Sequence, residues 1–560
     1  MRRRRGARSP RGCLRCRRLT DRELDERSTR LAHGLGAAGV GIGEHVGLCM
    51  RNTGEHVGLC MRNTVEHLES LLACYKLRAV PININWRYEA SELAYLFADA
   101  DTVVVLHDEE FAAAVRSAAS HAPVVRRLLE AGGEDYRALV ASGSAARDLG
   151  PRSPDDSYVL YTGGTTGRPK GVVWRQEDIF FAAIGGGNPG GPPIVRAEEL
   201  GPNVLTNTSQ RVGPFLAPDD PGPERYATFS MGPLMHASGS WGALGTVLGG
   251  GALVLDPEPH FDAVRVLDLV ERERVCLLTL VGDSGGRPLA EAVEAEPARW
   301  DLSCVRLLGS GGSILSADVK ARLLDAIPSV LAILEGMGSS ESPAQAVSVT
   351  ARGAAVAPTL TFAAKPETIV VDADLRPLPP GRGLVGRLAT RGRVPLAYYK
   401  DPGRSARTFV TIDGDRYALP GDRATVDSDG TIHLVGRGSA CINTGGEKVY
   451  PEEVEAALLT HDGVLDVVVV GVPHEHYGSA VCAIVQPAGD AVTLDAVRDH
   501  CHGLLAGYKA PRKLVLVDAI TRTAAGKPDY TWAHEIASPG GRVEEISSNQ
   551  PSGEGPSVSG

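Results

Sequence analysis

The residues with the plainest chemistry lie between Tyr161 and Gly171, which read YTGGTTGRPKG. Gly163, Gly164, Gly167 and Gly171 permit sharp turns and leave backbone N–H groups unshielded. Consecutive exposed N–H groups form a nest for anions. Thr162, Thr165 and Thr166 add hydroxyl donors, and Lys170 adds a positive charge. In chemical terms this is a triphosphate cradle, set against the plainer alternative of a Gly/Thr turn between strands. The spacing is not G-x-x-x-x-G-K-[ST], because Pro169 precedes the lysine and Gly171 follows it. Cys13 and Cys16 have C-x-x-C spacing, but no second Cys pair or His pair lies nearby, which argues against zinc or redox chemistry there.

The cradle string resembles the phosphate loop of the adenylate-forming enzymes, the superfamily of acyl-CoA synthetases, luciferases and peptide-synthetase adenylation domains. Further stretches carry the same resemblance, in order, over residues 19–537. MGPLMHASG, Met231 to Gly239, is similar to P-L-x-H-x-x-G, and the resemblance makes His236 line an acyl pocket. LLGSGGSILS at 307–316 is similar to S-G-G-A-x-L-S. Gly309, Gly311, Gly312 and Ser313 would let a flat ring such as adenine approach the backbone, with Gly309 also bordering the acyl pocket. LAILEGMGSSE at 331–341 resembles N-x-Y-G-x-[ST]-E. This assigns Glu335 and Gly336 to the nucleotide, Ser340 to the α-phosphate and Glu341, with Thr162, to magnesium. Met337 stands where an aromatic usually covers adenine, and its polarisable sulfur can still touch a ring face.

Asp422, in LPGD, would accept both ribose hydroxyls, as a carboxylate can for a diol. HLVGRGSACINTGGEKVYP at 433–451 is similar to the boundary between the two domains of the superfamily. Arg437 would reach ribose or phosphate, and Gly445 and Gly446 would border the pantetheine path of coenzyme A. Ser439 replaces the usual hinge aspartate and Asn443 the usual lysine, while Gly438 and Ser439 can still absorb large φ/ψ changes. TRTAAGK at 521–527 resembles P-R-T-x-x-G-K and makes Lys527 the adenylation lysine.

These groups need elements to hold them. Apolar runs at 158–160 and 172–174 predict strands on either side of the cradle. Thr20 followed by Glu23 predicts a capping box opening an amphipathic helix. Alternating helix and strand patterns over 89–150 predict a mainly parallel α/β architecture. From Glu452 the order EEVEAAL, VLDVVVVGVP, SAVCAIVQP predicts a small α+β domain. The expected organisation is a basic leader at 1–18, an AMP- and acyl-binding domain at 19–436, a mobile lid at 437–537 and a tail at 538–560. Such a two-part build suits 560 residues, too many for one ordinary core. GEHVGLCMRNT at 43–53 recurs unchanged at 54–64, where the superfamily has one strand and loop, so one copy is expected to bulge as a loop. Arg78 stands where the superfamily usually has glycine. The Gly- and Pro-rich stretch 185–223 is too long for a simple connection and would border the acyl tunnel in acyl-CoA synthetases.

A net charge of −10 gives no general affinity for nucleic acid. No run of 18 apolar residues offers a membrane span. Ten scattered cysteines and a basic start without an apolar h-region predict a reducing, cytoplasmic setting. The resemblance implies ATP, Mg2+ and coenzyme A as co-substrates and metal, with a homodimer allowed. It implies attack of a carboxylate on the α-phosphate to give acyl-AMP and pyrophosphate, then transfer of the acyl group to a thiol. The string YTGGTTGRPKGVVWRQEDI, with Trp174, Arg175, Glu177 and Asp178, resembles actinobacterial ligases for long-chain fatty acids and steroid side-chain acids. Two alternatives stay open: an acyl-AMP ligase serving another thiol, and an inactive nucleotide-binding paralogue.

Overall fold

Apolar β-branched runs without a polar break, such as TVVVLH at Thr102–His107, are buried along their whole length. Strands covered on both faces by helices require this. The computed structural model describes residues 18–49, 64–86, 88–163, 168–185, 194, 196, 199, 220, 222–223, 225–256, 258, 261–311, 315, 317–343, 345–354, 361–437, 442–449, 451–489, 492–521 and 530–538. Among these the first sheet has seven strands. His45–Cys49, Val80–Asn83 and Thr102–His107 run parallel at its centre. Ser157–Gly163 joins Val80–Asn83 in parallel, and Pro169–Arg175 folds back antiparallel upon it. The cradle is thus the tip of a hairpin whose two strands are those the apolar runs predict.

The helix Asp21–Ala37 opens with the expected capping box. Thr20 Oγ1 accepts from the Glu23 N–H at 3.2 Å, and the Glu23 carboxylate accepts from the Thr20 N–H at 2.7 Å. Its buried Leu24, Leu31 and Leu35 share a core with Leu68 and Leu71 of the helix Val65–Leu77. The first copy of the repeat supplies the strand His45–Cys49. The last residue of the second copy, Thr64, caps the next helix by accepting the His67 N–H at 3.3 Å. The loop expected between them lies outside the described residues. That helix ends at Arg78, which takes the left-handed φ of 62° that glycine would adopt freely. A side chain there costs about 1 kcal/mol. The Arg78 guanidinium offsets the strain by a two-pronged pairing with Asp156, at 2.9 Å and 2.8 Å.

The second sheet has thirteen strands among the described residues. Ala252–Val254, Ala227–Ser230, Leu277–Leu280, Leu307–Gly311 and Ala332–Met337 form a parallel block. Beyond Ala332–Met337 the pairing becomes antiparallel, through Ala346–Ala351 and Thr361–Ala364 to Thr431–Arg437 and Asp422–Val426. The second sheet thus joins a parallel block to an antiparallel one. Residues 427–430 between the last pair are too few for a crossover, so the chain can only fold straight back.

The third sheet has five strands among the described residues. It begins with the hairpin Ile442–Thr444 and Glu447–Val449 and is built on the long pair Val464–His474 and Gly478–Pro487. Two apolar layers cover it, one around Val454, Leu458 and Val497, the other around Val515, Ile520 and Ala533. The second sheet ends at Arg437 and the third begins at Ile442. Gly438 and Ser439, the expected pivot, fall outside the described residues.

Candidate active site

The cradle hairpin sets Thr162 directly opposite Lys170, and Gly163 opposite Pro169. Lys170 is half-buried, with its Nζ 3.9 Å from Asp401. Gly164, Thr165, Thr166 and Gly167 lie outside the described residues. Asn83, a residue given no role above, fixes this hairpin in place. Its amide accepts the Tyr161 N–H at 2.7 Å and donates to the carbonyls of Tyr161 at 2.9 Å and Met235 at 2.8 Å. One half-buried amide thereby ties the cradle hairpin to the loop that carries His236.

Across from the hairpin, Gly309, Gly311 and Gly336 form a flat shelf. Gly311 pairs with Gly336 in register, and a Cβ on Gly336 would meet nothing within 4 Å. Side chains alternate along a strand, so Glu335 and Met337 lie on the opposite face from Gly336. Two site expectations are corrected by this. Glu335 is 5% exposed and pairs with Lys320 on the helix Ala317–Ala326 at 2.7 Å. Met337 packs in a core with Phe362, Leu388 and Ala424. Neither side chain covers the shelf; each supports it from behind. Gly312 and Ser313 lie outside the described residues.

The turn after this strand carries Ser340, which is buried, and Glu341. Trp174, fully buried on the second strand of the cradle hairpin, donates its Nε1–H to the Ser340 carbonyl at 3.0 Å. Tyr398 donates its hydroxyl to Glu341 Oε1 at 2.7 Å. Neither tie was legible in the motifs. Each joins residues far apart in sequence, and only the alternation burying Trp174 hinted that its indole needed a partner. Glu341 fits magnesium by its chemistry, since this hard cation takes one or two carboxylates and completes its shell with phosphate and water oxygens. Thr162 could add a hydroxyl. Among the described residues there is no cluster of three or more His, Cys, Asp or Glu side chains suited to a metal.

In the antiparallel part of the second sheet Asp422 is 5% exposed at the start of its strand and pairs in register with Arg437. Lys527 lies outside the described residues. On the acyl side, His236 caps the helix Ala237–Leu248. This helix can begin there because residue 239 is glycine: a Cβ would stand 2.0 Å from the Pro233 carbonyl oxygen. Farther along the same helix, Leu244, Val247 and Leu248 join Leu24, Leu72, Ile179 and Phe180 around a cavity of about 680 Å³. Most of the 185–223 stretch lies outside the described residues.

The third sheet meets this site. Glu447 Oε1 lies 3.2 Å from His236 Nε2. Gly446, at φ 85°, presses so closely on Val281 that a Cβ would come within 2.9 Å of its Cγ1. Gly446 and Glu447 thus lie against Val281 and the His236 end of the helix Ala237–Leu248.

Residues 52–399 match the family described as AMP-binding enzyme, and residues 453–527 match its C-terminal domain. The chain is 37% identical over 538 residues to a 3-oxocholest-4-en-26-oate–CoA ligase from Rhodococcus rhodochrous, covering 93% of this chain and 91% of that protein. It is 40% identical over 543 residues to the medium-chain acyl-CoA ligase Mig from Mycobacterium avium, covering 93% and 94%. In structure it resembles the amide bond synthetase McbA from Marinactinospora thermotolerans, with a TM-score of 0.72 at 25% identity over 92% of this chain and 94% of that one. By these matches over most of its length, the chain belongs to the AMP-binding enzyme family.

Proposed function

We propose that this protein joins a large apolar carboxylic acid to coenzyme A through an acyl-AMP intermediate. The acid is a medium- or long-chain fatty acid or a steroid side-chain acid. The observation that carries the reading is the docking of Gly445, Gly446 and Glu447 against Val281 and His236, at the head of a helix whose far end lines an apolar cavity. That arrangement supports a thiol path meeting an acyl path. The relatives named for steroid and fatty acids support the substrate class.

The first half-reaction must bring a carboxylate to a polyanion, so fixed positive charge and N–H donors are its remedy. Lys170 and the cradle amides face the pyrophosphate end. Ser340 serves the α-phosphate, and the shelf of Gly309, Gly311 and Gly336 receives adenine. Asp422 and Arg437 serve the ribose. Glu341 and Thr162 would hold magnesium, which would supply charge neutralisation of the triphosphate. Lys527, carried by the lid in its other orientation, spans the acid and the α-phosphate. No base is needed, because a carboxylic acid is already ionised at neutral pH. The second half-reaction uses the lid docked with Gly446 against Val281 and Glu447 against His236, where it offers the glycine hairpin. Among the described residues no helix is long and apolar enough to cross a membrane. The dependence on ATP and coenzyme A supports a cytoplasmic setting.

The test is pyrophosphate release with a panel of carboxylic acids, with and without coenzyme A. Release with C8–C18 or steroid acids, followed by thioester, is the expected outcome. No release with any acid would overturn the reading in favour of an inactive nucleotide binder. Acyl-AMP without thioester would leave an acyl-AMP ligase.

A further inference from the structure

Lys509 is among the most deeply buried cations of the described residues, 3% exposed, and it takes no part in the chemistry above. It sits in the one-turn helix Gly507–Lys509 on the lid, beside the glycine hairpin. Its ammonium lies 2.6 Å from Glu92 Oε1 and 2.7 Å from Glu453 Oε1. It also stands over the rings of Tyr88, at 5.2 Å, and Tyr508, at 5.8 Å. Glu453 belongs to the lid, in the first turn of Pro451–Leu458. Glu92 and Tyr88 belong to the larger part of the molecule, Glu92 in the first turn of Ala90–Asp99. Beside them, Asn85 reaches the Tyr508 hydroxyl at 3.5 Å.

We propose that Lys509 is a positioning residue, the latch that holds the lid in the thiol-transfer orientation by closing on Glu92. This rests on the reading of the chain as a two-step ligase.

The two acids are not equivalent. Glu453 travels with Lys509, so that pair survives when the lid turns away. Glu92 is kept in place without the lid, because its Oε2 accepts the Glu89 N–H at 3.0 Å as part of a helix cap. Both halves of the latch are therefore satisfied when apart, and only the Lys509–Glu92 contact is made and broken. The docked state is balanced rather than locked. One cation serves two carboxylates, and Glu453 Oε2 is buried with no hydrogen-bond partner among the described residues. A buried ion pair sits near break-even between Coulomb attraction and desolvation. That balance suits a contact that must release in every cycle. Removing the ammonium has a one-sided effect, since it leaves two carboxylates facing each other away from water only when the lid is docked.

The test separates the half-reactions. In Lys509→Met, acyl-AMP formation without coenzyme A is expected to stay within about twofold of wild type. Thioester formation from supplied acyl-AMP and coenzyme A is expected to fall at least tenfold. Glu92→Gln, which leaves the lid untouched, is expected to show the same split, and Lys509→Arg to restore the second step. Fluorescence energy transfer between probes at the exposed Ser117 and Asp495 reads lid position without any turnover. Lys509→Met should shift it, and Lys509→Arg should not. Equal loss of both half-reactions, or an unshifted transfer signal, overturns the latch. If wild type makes no acyl-AMP from any acid, the ligase reading fails, and the transfer signal alone still decides whether Lys509 docks the lid.

Discussion

The hydroxyl of Tyr398 offers the sharpest test of how Glu341 is prepared for its metal. Burial, and then the negative charge of Glu341, push the Tyr398 phenol well above its ordinary range, so it remains a donor at any working pH. Replacing it with phenylalanine keeps the ring against Phe409, 5.4 Å between centroids, and under the Arg404 guanidinium at 5.0 Å. What is lost is one 2.7 Å hydrogen bond to an ionised acceptor. Such bonds contribute about 1.5–3 kcal/mol. Glu341 is only half-buried and can take up water in place of the hydroxyl. The lower part of the range therefore applies, about 1.5–2 kcal/mol, which is about 10- to 30-fold in rate. In Tyr398→Phe, pyrophosphate release without coenzyme A should fall by that factor, with more magnesium needed for half-saturation. Thioester formation from supplied acyl-AMP should be unchanged. Adenylation at the wild-type rate and magnesium dependence would refute the orienting role. An equal drop in both steps would reduce Tyr398 to packing.

Two further predictions accompany those given with the proposals. Lys527→Ala should abolish acyl-AMP formation, since losing one preorganised donor costs about 3–4 kcal/mol and a full charge more; transfer from supplied acyl-AMP should survive, and parallel loss of both steps would sink the assignment. His67 is buried in the helix Val65–Leu77, and desolvation lowers its pKa from 6.5 to about 4. Between those values the unfolded chain binds a proton that the folded one refuses, so stability falls as pH drops through that window. At pH 5 the loss from this group is about 2 kcal/mol. His67→Leu should flatten that part of the denaturation midpoint's pH profile, and an unchanged slope in the variant would count against it.

Much of the site was readable because its pieces are local. The hairpin strands around Tyr161 and Gly171 and the capping box at Thr20 each depend on a few neighbouring residues, and each stands as the residue pattern predicts. What was not readable depends on distance or on facing. Asn83, Trp174 and Tyr398 act on partners in other elements, and motif order carries no signal for such ties. Glu335 and Met337 were assigned by motif position alone. Period-two alternation from Gly336 turns both away from the shelf, so the strand's geometry overrules the position. The antiparallel half of the second sheet escaped notice because apolar strand runs do not declare their direction. Glu447 and Lys509 were invisible for a further reason: their partners His236 and Glu92 lie far off in the chain, on the larger part of the molecule.

The ties made by Asn83 and Trp174 divide the enzyme into a part that waits and a part that travels. Asn83 joins the phosphate hairpin to the His236 loop, and Trp174 joins the same hairpin to the Ser340 turn. Three segments that would otherwise drift independently behave as one solid bracket. In the proposed ligase cycle this sets the field at the α-phosphate before any substrate arrives and leaves little reorganisation for the chemical step. Adjustment is left to the lid, whose contacts at Gly446, Glu447 and Lys509 can be remade on the slower timescale of domain closure. The cycle's clock is then kept by how long the lid dwells in each seat, while the bracket only has to stay still.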